Sequence, residues 1–256
     1  MSDDTPTIGV LGAGVMGSGI AQVTALAGLP TVCFDPDADA RTRGLAEVTT
    51  GRFGLDGAVT RGKATRDEAD AALARLTFSG DFEAAATADV VVEAVPEQLD
   101  LKIRVFRDLD RIAPAGTILA SNTSGFPITA IAAATDRPER VIGWHWASPA
   151  PVMRLAEIVR TPTTADDVVA TIVDLAARCG KNPVVVHDAP SSWGFVANRI
   201  YFAMLREASR VVSEGVATRE QVDALMVDCY RWPAGPYGMV QGAGSGWSGS
   251  SGSGGH

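Results

Sequence analysis

The fold of this chain is decided near its N-terminus, where the sequence reads Ile8-Gly9-Val10-Leu11-Gly12-Ala13-Gly14-Val15-Met16-Gly17. A short β-type run ends at the first glycine of a Gly-x-Gly-x-x-Gly turn, and a proline-free stretch of small and apolar residues then suits a helix. A second β-type run, residues 31–35, completes a strand–helix–strand unit of about 30 residues. The stretch therefore predicts a βαβ unit.

The three glycines and the end of the second strand match the needs of a bound dinucleotide. Gly12 permits the tight turn, Gly14 lets a pyrophosphate approach the backbone, and Gly17 lets the helix pack against the strand. The helix N-terminus offers unpaired N–H groups to the phosphates. Asp35 would accept hydrogen bonds from ribose hydroxyls and repel a 2′-phosphate, which favours NAD over NADP. The alternatives are a glycine-rich turn of another α/β protein and, for Asp35, a solvated acid at a strand end.

Strand and helix patterns alternate outward from this unit. They predict an α/β fold with a largely parallel, doubly wound sheet. The pattern changes after Pro190, where two amphipathic helical stretches follow, and the last fifteen residues contain twelve glycines and serines. We therefore predict three regions: a cofactor domain over 1–189, a helical domain over 190–241 and a disordered Gly/Ser-rich tail over 242–256.

Composition excludes several classes of protein. Hydrophobic residues make up 46% of the 256 residues and charged residues 20%, which is ordinary for a globular protein. A net charge of −8 without a Lys/Arg run argues against nucleic-acid partners, and no apolar segment reaches the ~20 residues that span a bilayer. The three widely separated cysteines fit neither a disulfide framework nor a metal site. These features predict a cytoplasmic protein.

His145 and Glu157 are the candidate catalytic pair. Oxidation of an alcohol by NAD needs a base that accepts the hydroxyl proton, and histidine is the usual choice near neutral pH. Glu157 lies in an apolar, strand-like run, where a carboxylate is costly unless paired. A His145–Glu157 pair resolves that cost if the chain doubles back between them. The alternatives are a core histidine packed between two tryptophans and an edge-strand carboxylate that faces water.

Six ordered motifs reveal a resemblance. The sequence resembles the 3-hydroxyacyl-CoA dehydrogenase family, including its bacterial 3-hydroxybutyryl-CoA members, over about residues 7–240. The matching stretches are Ile8–Gln22, Val92–Glu97, Ser121–Ser124, Pro138–Gly143, Pro151–Met153 and Gly194–Arg199.

The resemblance implies a Rossmann-type domain followed by a smaller all-helical domain. It also implies an NAD-dependent enzyme of fatty acid metabolism that oxidises an (S)-3-hydroxyacyl-CoA, with His145 as base and Glu157 as its partner. Ser124 would hydrogen-bond the reacting oxygen, and Asn198 would contact the substrate near the thioester. A turn serine and a helix N-cap are the respective alternatives.

The resemblance further assigns residues to cofactor and substrate. Beside Gly12, Gly14, Gly17 and Asp35, the cofactor contacts would be Val15, Met16, Glu97, Lys102 and Asn122. Lys63 would contact the phosphates of coenzyme A, although a lysine that is simply solvated at the surface is an equally good interpretation. Ser148 would contact the substrate.

The sequence also departs from the family pattern. The family usually has asparagine where this chain has Ser148, and serine where this chain has Gly125. The family also lacks the three residues Ser191–Trp193, which are inserted in this chain. Because of these departures, a free hydroxy compound of the L-gulonate or carnitine type is an alternative substrate. A dinucleotide-binding protein without turnover is a further alternative. We also expect a shortened helical domain whose apolar face is covered in a homodimer.

Overall fold

The computed structural model describes residues 5–247, and within them the chain forms two compact units. The first unit ends at Phe195 and the second begins at Val196. The boundary lies six residues beyond the predicted one because residues 194 and 195 are bound to the first unit. The Gly194 N–H donates to the Gly125 carbonyl oxygen over 3.0 Å, and Phe195 is buried.

The first unit contains a mixed sheet covered by helices. Its strands, in chain order, are β1 (Ile8–Leu11), β2 (Thr31–Phe34), β3 (Leu76–Ser79), β4 (Val90–Glu93), β5 (Ile118–Ser121), β6 (Val141–Trp146), β7 (Leu155–Arg160) and β8 (Asn182–His187). Its helices are α1 (Val15–Leu26), α2 (Ala38–Thr49), α3 (Leu55–Thr60), α4 (Arg66–Arg75), α5 (Phe82–Ala86), α6 (Leu99–Ile112), α7 (Ile128–Ala132) and α8 (Asp166–Arg178).

The eight strands in the described residues form one sheet in the order β3-β2-β1-β4-β5-β6-β7-β8. Neighbouring strands run parallel except β6 and β7, which are antiparallel. The first six strands have the 3-2-1-4-5-6 order of the Rossmann fold, whose topological switch point lies between β1 and β4. The prediction of a doubly wound α/β sheet is confirmed.

Both faces of the central strands are buried, as a parallel sheet requires, whereas the edge strand β8 is largely exposed. Alternate residues of β4 point to opposite sides: Val90 and Val92 join one apolar cluster and Val91 joins the other. The first cluster also contains Trp144 and Trp146 of β6. The second contains Phe106 of α6. Continuous apolar strands are thus explained by helices packed on each face.

The second unit is helical. Its helices are α9 (Val196–Ser213), α10 (Arg219–Tyr230) and α11 (Pro236–Trp247). The smaller all-helical domain is confirmed as a fold. The structure corrects the start of the predicted tail, because residues 242–247 belong to α11. The N-terminus of α11 is fixed by Asp223, whose carboxylate accepts the N–H groups of Tyr237 and Gly238 over 2.8 Å each. Residues 248–256 of that tail lie outside the described residues.

None of the helices in residues 5–247 is long and apolar enough to cross a bilayer.

Candidate functional site

The predicted site residues of the first unit follow the carboxyl ends of neighbouring parallel strands. The glycine turn follows β1, Glu97 follows β4, Ser124 follows β5, and His145 lies near the end of β6. Because these strands are parallel, their carboxyl ends share one edge of the sheet. Ligands of open α/β sheets bind at this edge, beside the switch point. The topology therefore brings the cofactor loop and the candidate catalytic residues to one edge.

The glycine turn has the shape that a dinucleotide requires. Gly12 has a φ of +103°, and a Cβ there would lie 2.7 Å from the Ala94 carbonyl oxygen. A Cβ on Gly17 would overlap the Gly12 carbonyl oxygen, so only glycine lets α1 pack this closely. At Gly14, in contrast, a Cβ would meet no protein atom within 4 Å. The open space at Gly14 borders the N-terminus of α1, where unpaired backbone N–H groups can bind a phosphate.

Asp35 ties the second strand to the glycine turn. One carboxylate oxygen accepts the Ala13 N–H over 2.9 Å, and the other accepts the Asp37 N–H over 3.0 Å. A carboxylate has about four acceptor positions, so Asp35 keeps capacity for the hydroxyls of a ribose. Asp35 thus lies beside the glycine turn, and its bond to a ribose stays a prediction.

His145 and Glu157 form a buried pair. They lie directly opposite each other on the antiparallel strands β6 and β7, and His145 Nδ1 is 2.8 Å from Glu157 Oε2. The side chains are only 8% and 3% exposed. An ionised carboxylate only accepts, so it fixes the proton on Nδ1 and leaves Nε2 as the acceptor nitrogen. The predicted pairing is confirmed.

Ser124 lies in a turn that Glu97 organises. Glu97 Oε1 accepts the Thr123 hydroxyl over 2.6 Å and the Ser124 N–H over 2.9 Å. Its other oxygen lies 3.1 Å from Lys102 Nζ. Glu97 thus links the turn after β5 to the helix that follows β4.

Lys102 is buried among acceptors. Its ammonium donates to Glu93 Oε1 over 2.7 Å and to the Val95 carbonyl oxygen over 3.3 Å, besides pairing with Glu97. These contacts occupy its three donors, so a direct bond to the cofactor would have to replace one of them. Burial raises the pKa of Glu93, and the Lys102 ammonium and the Ser121 hydroxyl oppose that rise. Sequence reasoning missed Glu93, although an acid directly after three buried valines is a recognisable signal.

The remaining predicted residues occupy different parts of the chain. Asn122 is buried and accepts the Trp146 N–H over 2.9 Å, which fixes the end of β6. Ser148 is half-buried in the loop after β6, Lys63 is exposed in the turn after α3, and Val15 and Met16 form the first turn of α1. Asn198 lies in the first turn of α9, in the second unit.

Two residues that sequence reasoning missed support the surroundings of His145. Lys181 Nζ donates to the carbonyl oxygens of Ala150 and Met153 over 2.5 and 2.8 Å. It therefore holds the loop between β6 and β7. The ring of Phe195 packs 5.7 Å, centroid to centroid, from the His145 ring.

Comparisons with known proteins agree with this geometry. Residues 7–189 match the family described as "3-hydroxyacyl-CoA dehydrogenase, NAD binding domain", and residues 194–252 match its C-terminal domain. The chain belongs to the 3-hydroxyacyl-CoA dehydrogenase family. The NAD-binding domain of that family is therefore present over the unit that carries the glycine turn.

Individual members of the family are similar over most of this chain. A "Probable 3-hydroxybutyryl-CoA dehydrogenase" of Bacillus subtilis is 42% identical over 231 residues, which are 90% of this chain and 78% of that protein. The crystal structure of (S)-3-hydroxybutyryl-CoA dehydrogenase PaaH1 from Ralstonia eutropha superposes with a TM-score of 0.85 at 39% identity, over 91% of this chain and 80% of that one. A diketoreductase that acts on dicarbonyl compounds superposes with a TM-score of 0.81 at 30% identity, over 91% and 81%.

Proposed function

We propose that this family member interconverts an (S)-3-hydroxyacyl-CoA and the corresponding 3-oxoacyl-CoA, with His145 as general base. The observation that carries the proposal is the buried His145–Glu157 pair on the same sheet edge as the glycine turn. The relatives named as 3-hydroxybutyryl-CoA dehydrogenases support the substrate class.

The proposed chemistry uses the protein groups to handle the hydroxyl proton. NAD, when bound, supplies the hydride acceptor. His145 Nε2 accepts the hydroxyl proton as the carbinol becomes a carbonyl, and Glu157 stabilises the imidazolium through Nδ1. Ser124 donates a hydrogen bond to the reacting oxygen. In the reduction direction the same imidazolium returns the proton.

The cofactor would be held by the glycine turn and the residues around it. Val15, Met16 and Gly17, in the first turn of α1, present backbone N–H groups to the pyrophosphate, while Gly12 shapes the turn and Gly14 leaves space for the phosphates. In addition, Asp35 accepts the ribose hydroxyls, and Glu97, Lys102 and Asn122 support the nicotinamide side.

Further polar groups would hold the substrate. We propose that Asn198 contacts the acyl-CoA near the thioester and that Ser148 also contacts the substrate. Lys63, whose side chain is exposed, would pair with a phosphate of coenzyme A. Lys63→Met should then raise the KM for a CoA ester without lowering kcat.

Substitution of the catalytic pair tests the proposal. His145→Gln should lower kcat for 3-hydroxybutyryl-CoA by about 10²–10⁴-fold, because no other group takes the proton. Glu157→Gln should lower kcat by about 10²-fold or more, because an amide does not fix the tautomer or stabilise the imidazolium. NADH formation is followed at 340 nm.

Glu139→Gln is the matched control for this series, because Glu139 is an exposed carboxylate in the same unit. It should retain wild-type kcat. Full activity of Glu157→Gln, or no turnover of any 3-hydroxyacyl-CoA by the wild type, would contradict the proposal.

A second candidate is a dehydrogenase of a free hydroxy compound, of the L-gulonate or carnitine type, and the similarity to the diketoreductase favours it. A panel of free and CoA-linked 3-hydroxy acids separates the two. Turnover of the free acids alone, without inhibition by coenzyme A, would support this candidate. NAD binding without turnover of any compound in the panel would support a non-catalytic protein.

The proposed homodimer rests on apolar side chains of the second unit. Ile200 is 67% exposed and Leu225 is 63% exposed. A monomer rarely leaves such groups in water, and a two-fold interface would cover them. Light scattering should give about twice the chain mass of 26.6 kDa, and a monomer at micromolar concentration would contradict this. The three cysteines of the chain are free thiols, which suits a reducing compartment. We therefore propose that the protein works in the cytoplasm.

A further inference from the structure

The two sequence departures at position 125 and at residues 191–193 meet in a single contact. A Cβ on Gly125 would lie 2.7 Å from Cε2 of the Trp193 ring and 2.5 Å from the Gly194 nitrogen. Real Cβ atoms do not approach this closely, so a serine or alanine at position 125 would displace the Trp193 segment. The absent side chain at 125 makes room for the inserted tryptophan.

The Trp193 segment is anchored at both ends to the first unit. Before it, the Asp188 carboxylate accepts the N–H and hydroxyl of Thr129 over 2.8 and 2.6 Å. After it, the Gly194 N–H donates to the Gly125 carbonyl oxygen, and Phe195 is buried against His145. The position of Trp193 is therefore set by the turn that carries Ser124 and by the histidine.

If the substrate binds as proposed, this placement puts an apolar ring near the reacting carbon. Under the proposed function, Ser124 and His145 both contact the carbinol oxygen, so the carbinol carbon lies between them. Residues 193–195 run from a contact with Gly125, the neighbour of Ser124, to a contact with the His145 ring. Half of the Trp193 surface remains accessible, so the indole can contact a group attached to that carbon.

We infer that Trp193 is a specificity-determining residue that walls the substrate site beside Ser124 and restricts the acyl group to a short chain. The inference rests on the proposed function. A short alkyl group packs on the indole, whereas a longer chain has to displace a large ring held between two anchored segments. One or a few methylenes of excess length at a packed apolar wall change kcat/KM by about tenfold or more.

The test measures kcat/KM of the full chain for (S)-3-hydroxybutyryl-CoA, (S)-3-hydroxyhexanoyl-CoA and (S)-3-hydroxydecanoyl-CoA with NAD. The wild type should prefer the four-carbon ester. Trp193→Ala should raise the ten-carbon to four-carbon ratio by about tenfold or more, and Trp193→Phe should raise it less. Trp232→Ala removes a half-buried tryptophan from the second unit and should leave the ratio unchanged.

The outcomes separate this inference from the proposed function. Wild-type turnover of the four-carbon ester tests the proposed function alone. With that activity present, an unchanged ratio in Trp193→Ala, or a wild type that prefers the ten-carbon ester, would overturn the inference about Trp193. If Trp193→Ala does not fold, the ratio in Trp193→Phe decides, and equality with the wild type overturns the inference.

Discussion

At the level of single residues, Lys181 supports the loop that follows His145. Its buried ammonium donates to two carbonyl oxygens and lies 5.1 Å from the centroid of the Trp146 ring. Burial lowers the pKa of this lysine below its ordinary value of 10.5. The charge is tolerated because the carbonyl groups and the aromatic face replace part of its hydration.

Lys181→Met should destabilise the protein by about 1–3 kcal/mol, because methionine fills the same space but leaves the carbonyl oxygens of Ala150 and Met153 without a donor. Urea unfolding monitored by circular dichroism measures the change. The exposed Lys63 is the control, and Lys63→Met should change the unfolding free energy by less than about 0.5 kcal/mol. Equal stabilities of the two variants would show that the Lys181 bonds contribute nothing.

The residue scale also shows what the sequence could and could not predict. The His145–Glu157 pair was predictable, because an unpaired acid in an apolar strand needs a partner. Lys181 was not, since a lysine beside a glycine reads as a surface residue until the fold places it beneath a distant loop. Likewise, the contact between Gly125 and Trp193 joins segments 68 residues apart, and no local pattern marks it.

At the level of elements, the glycines of the turn between β1 and α1 have two different functions. Gly17 is needed for packing, because a Cβ there would overlap the Gly12 carbonyl oxygen. Gly14 is not needed for packing, because a Cβ there would meet no protein atom within 4 Å. The same substitution at these two positions should therefore have opposite consequences.

Gly14→Ala should keep the wild-type Tm and weaken NAD binding by about tenfold or more, because the methyl group occupies space that the pyrophosphate needs. Gly17→Ala should lower the stability by about 1–3 kcal/mol or more, because α1 has to move away from the strand. Thermal unfolding and a fluorescence titration with NADH measure the two effects. Wild-type NAD affinity in a folded Gly14→Ala variant would contradict the assigned phosphate position.

The elements that the sequence predicted well are the long and strongly patterned ones. The patterned stretch after Pro190, for example, forms α9 and α10. The short strand β3 has no comparable pattern, because it follows α4 directly, without a turn signal, and is only partly buried. The Gly/Ser composition hid the end of α11, because each glycine costs about 1 kcal/mol in a helix and gives no helical signal.

At the level of the whole molecule, the reactivity of the three cysteines indicates which parts of the fold are closed to solvent. Cys33 and Cys179 are buried in the first unit, where burial raises the pKa of each thiol to about 12, whereas Cys229 is exposed in the second unit. A thiolate is the reactive form, so the two buried thiols should stay unreactive from pH 7 to 9.

Titration of the native protein with a chromogenic disulfide reagent should release about one equivalent rapidly, and the remaining two only after denaturation. Cys229→Ser should abolish the rapid equivalent and leave the slow ones. Rapid reaction of two or three thiols in the native wild type would show that the core around β2 or the end of α8 opens more readily than its burial indicates.

The contact between Gly125 and Trp193 makes these two positions depend on each other. A tryptophan placed as Trp193 is here would collide with any side chain at position 125. The two sites should accordingly be inherited as a unit. In a set of descendants from one ancestor, sequences with the inserted tryptophan should all carry glycine at 125, whereas glycine without the insertion should survive as a permissive intermediate.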